Sequence, residues 1–447
     1  MSGIAKVAHD RGIRVTGSDL KESRYTRMLL DVGVEVHIGH DSMNLGDPQV
    51  VVVSSAIPES NPELAAARER GLDIWPRAKM LAHLAEDRLT VAVAGTHGKT
   101  TTSAMIATML STMGEDPTFL VGGEVSSFGT NAGCGDGSYY VVEADESDGS
   151  FMYLDPAVAL VTNIEADHLD HYGSVARMEE TFAAFMGKVP ADGMLVVCAD
   201  DPVLLAEAEG MEAKLLTYGE CHEADVRFEV SGPLAGGGSA FSISTAEGTC
   251  DGTIAVPGRH MVSNCAAAVA TALALGLDTE EAVAALGGYD GVRRRFDHVG
   301  SVAGVDVVDD YAHHPTEIRA TLEAARQVGY ERVWVVFQPH RYSRTQALAP
   351  EFGTAFEQAD RVILTDVYSA GEMPIPGVSG KTVLESVLDA DGRRQVAYLP
   401  HRADVAPFIA ERVREGDLVM TMGAGDVTTM GPEIVRTMET GHGGTIP

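Results

Sequence analysis

The chain is poor in cysteine, in positive charge and in long apolar runs, and each shortage removes a class of protein. Its five cysteines, Cys134, Cys198, Cys221, Cys250 and Cys265, are scattered and form no C-x-x-C pair. An odd, dispersed set in 447 residues reads as reduced thiols of a cytoplasmic protein rather than a disulfide framework. A metal site built from these cysteines is not expected. Lysine and arginine number 33 against 65 aspartates and glutamates, a formal net charge of −32. That balance argues against a nucleic-acid or acidic-membrane partner. It leaves room for a small anionic substrate, because salt screens a distant acidic surface beyond about 10 Å. No run approaches the roughly 20 apolar residues of a membrane span, so membrane insertion is not expected. Met1–Arg14 also lacks the apolar core of a signal peptide.

What remains is a globular composition, 45% apolar, too long for a single core. Strand-like runs alternate with helical ones, the rhythm of parallel α/β sheets. Residues 1–88 carry such runs at Ile13–Gly17 and Val50–Ser54. Leu89–Ala94 opens a second unit, expected to reach residue 294. Its Tyr139–Val142 and Val158–Thr162 strands run straight into polar clusters, and its 225–258 stretch reads as antiparallel. A third unit, 295–447, shows strands near Val305–Val308, Arg332–Phe337, Arg361–Thr365, Gln395–Leu399 and Asp417–Met422, with helices between them. The expected fold class is α/β in three domains: two Rossmann-like units flanking a central P-loop ATPase-type unit.

The strongest local signal is V-A-V-A-Gly95-Thr96-His97-Gly98-Lys99-Thr100-Thr101-Thr102, a strand, a glycine turn and a helix start. Backbone N–H groups at such a helix start converge on phosphate oxygens, aided by the helix dipole. Lys99 is placed to reach the outer phosphates and Thr100 to sit near Mg²⁺. The glycine spacing is shorter than in the common P-loop, and an ordinary glycine turn capped by threonines is the plainer alternative. Two further strand ends carry carboxylates, Glu143-Ala-Asp145-Glu146 and Asn163-Ile-Glu165-Ala-Asp167-His168. Acidic groups after strands neighbouring a phosphate loop suit Mg²⁺, which prefers oxygen ligands. Alone, the first could be a solvated acidic loop. His168 with Asp167 and Asp170 imitates a zinc site, but zinc favours more histidine or cysteine.

Together these segments resemble the central domain of the Mur ligases, ATP-dependent amino-acid ligases of peptidoglycan precursor synthesis. The resemblance extends through Gly258-Arg-His260-Met-Val-Ser-Asn264, Arg293-Arg-Arg295-Phe296, Asp309-Asp310-Tyr311-Ala-His313-His314-Pro315 and Gln338-Pro-His340-Arg341-Tyr342-Ser-Arg344. It implies ATP and Mg²⁺ as cofactors, with UDP-N-acetylmuramate and L-alanine as substrates. By motif position, Gly95 to Thr101 cradle ATP. Lys99, Thr100, Glu143 and His168 form the ATP–Mg²⁺ set. Asn264 meets adenine, Arg295 the phosphates, and Asp309 or His313 the ribose. Arg341 and Arg344 hold the amino-acid carboxylate, a match of guanidinium to carboxylate. Surface solubility is the plain alternative for these two arginines, and an ordinary polar helix residue is that for Asn264. Closure of the site about Arg293–Phe296 is expected to exclude water from an acyl phosphate.

The family pattern also implies a strand and a glycine-rich turn ahead of Met1-Ser2-Gly3, which this sequence does not show. Ser18, Asp19 and residues 54–56 remain as candidate contacts for the nucleotide of the sugar. Two other readings stand beside this one: another Mur-type ligase, such as a tripeptide-recycling one, or a non-catalytic nucleotide-binding protein.

Overall fold

The computed structural model describes residues 1–54 and 56–442, apart from the side chains of Asp170 and His442. Ser55, within the candidate stretch 54–56, lies outside the described residues. Contacts divide the chain into two units, one of residues 1–228, 243–250 and 264–288, the other of residues 229–242, 251–263 and 289–447.

The first unit begins with a helix, Ser2–Asp10, and two parallel strand pairs, Thr16–Asp19 with Glu35–Ile38 and Val50–Val53 with Asp73–Pro76. It continues into a large sheet. There the strand Leu89–Ala94 lies between Tyr139–Glu143 and Val158–Val161, parallel to both. Thr118–Val125 extends one side and Met194–Cys198 with Lys214–Gly219 the other, all parallel to their neighbours. The central strands are apolar throughout: Val91 to Ala94, Tyr140 to Val142 and Val158 to Val161 are buried. Such runs belong to a parallel sheet covered on both faces. The helix Lys99–Thr112 is buried nearly all round, which explains its alanine, methionine and threonine composition in place of a charged face.

The second unit is built on a six-stranded sheet that runs Asp297–Val302, Val305–Asp310, Asp417–Met422, Arg332–Phe337, Arg361–Leu364, Val396–Tyr398. Only its first pair is antiparallel. Side chains alternate between faces along each strand. Val333, Val335 and Phe337 pack with Ile318, Leu322, Phe352 and Val387 on one face. Trp334 and Val336 pack with Val405, Ile409, Ile434 and Met438 on the other. Helices cover both faces, the doubly wound arrangement expected from the sequence.

Phe337 is fully buried, its ring 5.5 Å from that of Phe352 and 5.2 Å from that of Phe356. Phe337→Ala is expected to destabilise this unit by about 3–5 kcal/mol through lost burial and a residual cavity. Urea unfolding followed by tryptophan fluorescence reads this directly, because Trp334 lies in the same strand.

Candidate active site

Parallel strands that sit side by side deliver their carboxyl ends to one edge. Val93 is in register with Glu143, and Ala94 with Val161. The phosphate loop, the acidic loop after Glu143 and the loop after Val161 therefore open together. The three sequence segments are adjacent because their strands are adjacent.

Residues after Val161 lace the phosphate loop into shape. Thr96 N donates to Asn163 O at 3.0 Å, and His97 N to Asn163 Oδ1 at 2.9 Å. The Thr162 hydroxyl donates to His97 O at 2.5 Å. Thr96 Oγ1 and Glu165 exchange backbone hydrogen bonds of 3.1 and 2.9 Å, and His97 Nε2 lies 2.9 Å from Glu165 Oε2. Gly95 has φ +125°, and a Cβ there would overlap Thr162 Oγ1. Gly98, φ +84°, starts the helix with Asn264 Oδ1 2.9 Å from where its Cβ would be. Glycine is required at both places for backbone reasons and for room. Asn264 thus stands against the phosphate loop, where an adenine contact was expected. Thr162, Asn163 and Glu165 have no role that sequence spacing could have assigned.

Lys99 is deeply held. Its Nζ donates to Gly95 O at 2.5 Å and Thr96 O at 3.0 Å, and lies 2.9 and 2.8 Å from the two oxygens of Glu146. Burial alone lowers the Lys99 pKa, but Glu146, Asp145 and Glu143 outweigh it and hold the ammonium above its ordinary range. Burial pushes the Glu146 carboxyl up to about 7, against the pull of Lys99. Tyr172 OH donates to Glu146 O. His168, φ +53°, brings Nε2 to 3.9 Å from Glu146 Oε1 and 3.7 Å from Asp167 Oδ2. Glu146 was read only as part of an acidic loop; its burial at 2% exposure marks it as the lysine's partner.

Glu143 is fixed from the neighbouring strand, where Gly122 N donates to its Oε2 at 2.7 Å. The donor set near the loop is a carboxylate, a threonine hydroxyl on Thr100 and further carboxylates. Such hard oxygen donors are of the kind Mg²⁺ prefers.

In the second unit, Arg294 carries φ +65°. Its Nη2 donates to Gly423 O at 2.7 Å and Gly425 O at 3.2 Å, while its guanidinium lies over the Tyr311 ring. Phe296 N donates to Asp310 Oδ2 at 2.8 Å, and Tyr311 N to Arg294 O at 2.7 Å. The Arg293–Phe296 stretch is held on this sheet's carboxyl edge by these hydrogen bonds. Arg295 leaves that anchored turn at 22% exposure, with Glu317 Oε1 3.9 Å away. Burial raises the Asp310 carboxyl to about 6, and it lowers His260 to about 4, a neutral ring.

Of the two expected ribose contacts, Asp309 accepts 2.6 Å hydrogen bonds from Thr421 and Thr428 and is 2% exposed. Its carboxylate is occupied with scaffold. His313 keeps 14% of its side chain exposed, with Nδ1 3.0 Å from Tyr311 O and 3.2 Å from Glu317 Oε2. Arg341 begins the short helix Tyr342–Ala347 at φ +66°. Arg344 lies in its first turn, 8% exposed, with Nη1 3.2 Å from His340 Nδ1. A buried arginine is not a solubility device, so the plain reading fails for Arg344.

A methyl group on residue 122 would stand 2.6 Å from both Glu143 oxygens. Gly122→Ala is therefore expected to weaken Mg²⁺ binding by about 10–100-fold, as loss of supporting contacts to a ligand does. Magnesium titration of nucleotide binding checks this, with circular dichroism expected to stay unchanged.

Family models match most of the chain: a Mur ligase family catalytic domain at residues 1–89, the Mur ligase middle domain at 93–272, and a Mur ligase glutamate ligase domain at 294–425. A UDP-N-acetylmuramate–L-alanine ligase of Pelotomaculum thermopropionicum is 47% identical over 442 residues, 98% of this chain and 95% of its own. That of Rubrobacter xylanophilus is 48% identical over 440 residues, 98% and 97% of the two chains. The solved UDP-N-acetylmuramate–alanine ligase of Thermotoga maritima superposes with a TM-score of 0.82 at 28% identity, covering 99% of this chain and 97% of that one. With three matching domains in order and relatives this similar end to end, the chain belongs to the Mur ligase family.

Proposed function

We infer that this chain is an ATP-dependent carboxylate–amine ligase that joins L-alanine to the lactyl carboxylate of UDP-N-acetylmuramate, a step of peptidoglycan precursor synthesis. The observation that carries the chemistry is Lys99 at the centre of three converging strand ends, with carboxylates on the neighbouring loops. The substrates are those named for the relatives that match it end to end. No helix of the described residues is long and apolar enough to cross a membrane. The cytoplasm, where ATP is available, is the proposed location.

The backbone N–H groups of Gly95 to Thr101 receive the phosphates, and the Lys99 ammonium offsets charge on the outer ones. Thr100 and Glu143, with His168, would hold Mg²⁺, which would supply charge neutralisation on the transferred group. The lactyl carboxylate oxygen attacks the γ-phosphorus, ADP departs, and an acyl phosphate forms. The free amine of alanine attacks the acyl carbon. The C–O bond to phosphate breaks, inorganic phosphate leaves, and the amine loses a proton as the amide forms. Arg341 and Arg344 orient the alanine carboxylate, Arg295 meets the phosphates and His313 the ribose, while Asn264 backs the phosphate loop at Gly98. Asp309, held by two threonines, supports that region from beneath.

An amino-acid panel in a phosphate-release assay with UDP-N-acetylmuramate and ATP tests the reading. Release dependent on L-alanine is expected; release dependent on a tripeptide instead points to a recycling ligase, and ATP binding with no ligation product to a non-catalytic protein. Lys99→Ala is expected to abolish turnover with the fold intact. Arg344→Ala is expected to raise the KM for alanine by about tenfold to a hundredfold, the worth of a charged hydrogen bond. The KM for ATP should change little, and an equal rise for both substrates defeats the carboxylate role.

A further inference from the structure

A second cluster of polar side chains gathers at the carboxyl ends of the first strands, well separated in sequence from the phosphate loop. Ser18 ends the strand Thr16–Asp19, His40 follows Glu35–Ile38, and Glu63 lies in the first turn of the helix Pro62–Glu69. Ser18 Oγ donates to Glu63 Oε2 at 2.9 Å and lies 2.9 Å from His40 Nδ1. The other Glu63 oxygen accepts from Asp41 N at 3.2 Å and from Asn44 Nδ2 at 3.4 Å, and lies 3.5 Å from His40 Nδ1. Asn61 Oδ1 accepts from Glu63 N at 2.9 Å and Leu64 N at 3.1 Å, which fixes the turn that carries Glu63. Gly39 N donates to Asp19 O at 2.7 Å, tying the first two loops together. His40 and Glu63 side chains are 14% and 17% exposed.

The hydrogen bonds have one consistent direction. An ionised carboxylate only accepts, so the single Ser18 hydroxyl proton goes to Glu63. Ser18 Oγ then offers only lone pairs to His40, and the neutral ring must carry its proton on Nδ1. The second nitrogen, Nε2, has no partner among the described residues. It is left as an acceptor at the edge where ligands of parallel sheets bind.

We propose that Glu63 and Ser18 form a relay that fixes His40 as the Nδ1-protonated tautomer, so that Nε2 accepts a hydrogen bond from a donor on the sugar nucleotide. The donor is the imide N–H of the uracil or a ribose hydroxyl. The proposal rests on the ligation reading for its ligand, and on the cluster alone for the tautomer. Ser18 and Glu63 are positioning residues that act through His40.

Long-range proton–nitrogen correlations of the histidine rings in the whole chain, recorded at alkaline pH where imidazole is neutral, read the tautomer without turnover. The wild-type His40 ring is expected to carry its proton on Nδ1. Glu63→Ala frees the Ser18 proton to point at the ring and is expected to move the ring proton to Nε2, whereas Ser18→Ala leaves Glu63 Oε1, 3.5 Å from Nδ1, as an acceptor and is expected to keep the proton on Nδ1. Glu63→Gln keeps an acceptor for Ser18 and is expected to retain the wild-type tautomer. Calorimetry with UDP is expected to show about tenfold weaker binding for Glu63→Ala, the worth of one hydrogen bond.

Three analogues locate the donor. If the imide is read, N3-methyl-UDP loses that factor in the wild type and loses nothing further in Glu63→Ala; if a hydroxyl is read, 2′-deoxy-UDP or 3′-deoxy-UDP behaves this way. In turnover, Glu63→Ala should raise the KM for UDP-N-acetylmuramate and leave kcat and the KM for ATP unchanged. A wild-type ring protonated on Nε2, Glu63→Ala affinity equal to wild type, or equal binding of every analogue overturns the proposal. Failure of alanine-dependent phosphate release with the tautomer and UDP affinity intact overturns the ligation reading instead.

Discussion

A lysine ammonium buried against a carboxylate, with two more carboxylates close by, sets the terms for the rest of the first unit. Lys99 and Glu146 are removed from water together, which is costly unless the geometry is close and the remaining polar groups are satisfied. Here the loop's own carbonyls from Gly95 and Thr96 complete the lysine's coordination. The surroundings still carry more negative than positive charge, since Glu143 and Asp145 also act on Lys99. The acidic loop and the phosphate loop therefore act on one ammonium, and neither can be altered without changing the charge balance of the other.

The second unit solves a different problem, the aiming of cations at the carboxyl edge of its own sheet. Arg294 gives up its guanidinium to the carbonyls of Gly423 and Gly425 and to the face of Tyr311. Its neighbour Arg295 is held by the backbone that Arg294 anchors. Three consecutive arginines thus divide into structural and presenting members. The left-handed backbone at Arg294, Phe296 and Arg341 lies beside these arginine-bearing turns, where surrounding hydrogen bonds over-determine it.

Much of the fold was legible because the parallel strands are buried on both faces and read as unbroken apolar runs. Leu89–Ala94, Arg332–Phe337 and Asp417–Met422 have the bounds expected of them. Thr118–Val125 and Lys214–Gly219 were not read as strands, since glycines interrupt the first and exposed lysine and leucine open the second. In the site, glycine spacing and a lysine at a helix start disclosed the phosphate loop. Partners that act from another strand did not disclose themselves: Gly122 behind Glu143, Thr162 beneath Gly95, and Glu146 against Lys99. Their roles arise from register across the sheet, and register is a property of the folded chain. The groups that hold Arg293–Phe296 were hidden for the same reason, because they come from residues 310 and 423–425.

The close approach of residues 95 and 162 binds two distant positions into a single steric unit. The space beside Gly95 is filled by the hydroxyl that secures the turn, so no side chain can enter at 95 while 162 keeps its threonine. Trimming the threonine would not open the position, because the backbone nitrogens of Thr162 and Asn163 lie 2.9 and 3.0 Å from that Cβ and φ is +125°. The strand end that shapes the turn thus forbids a side chain with its main chain as well, and glycine at 95 is fixed whatever residue stands at 162.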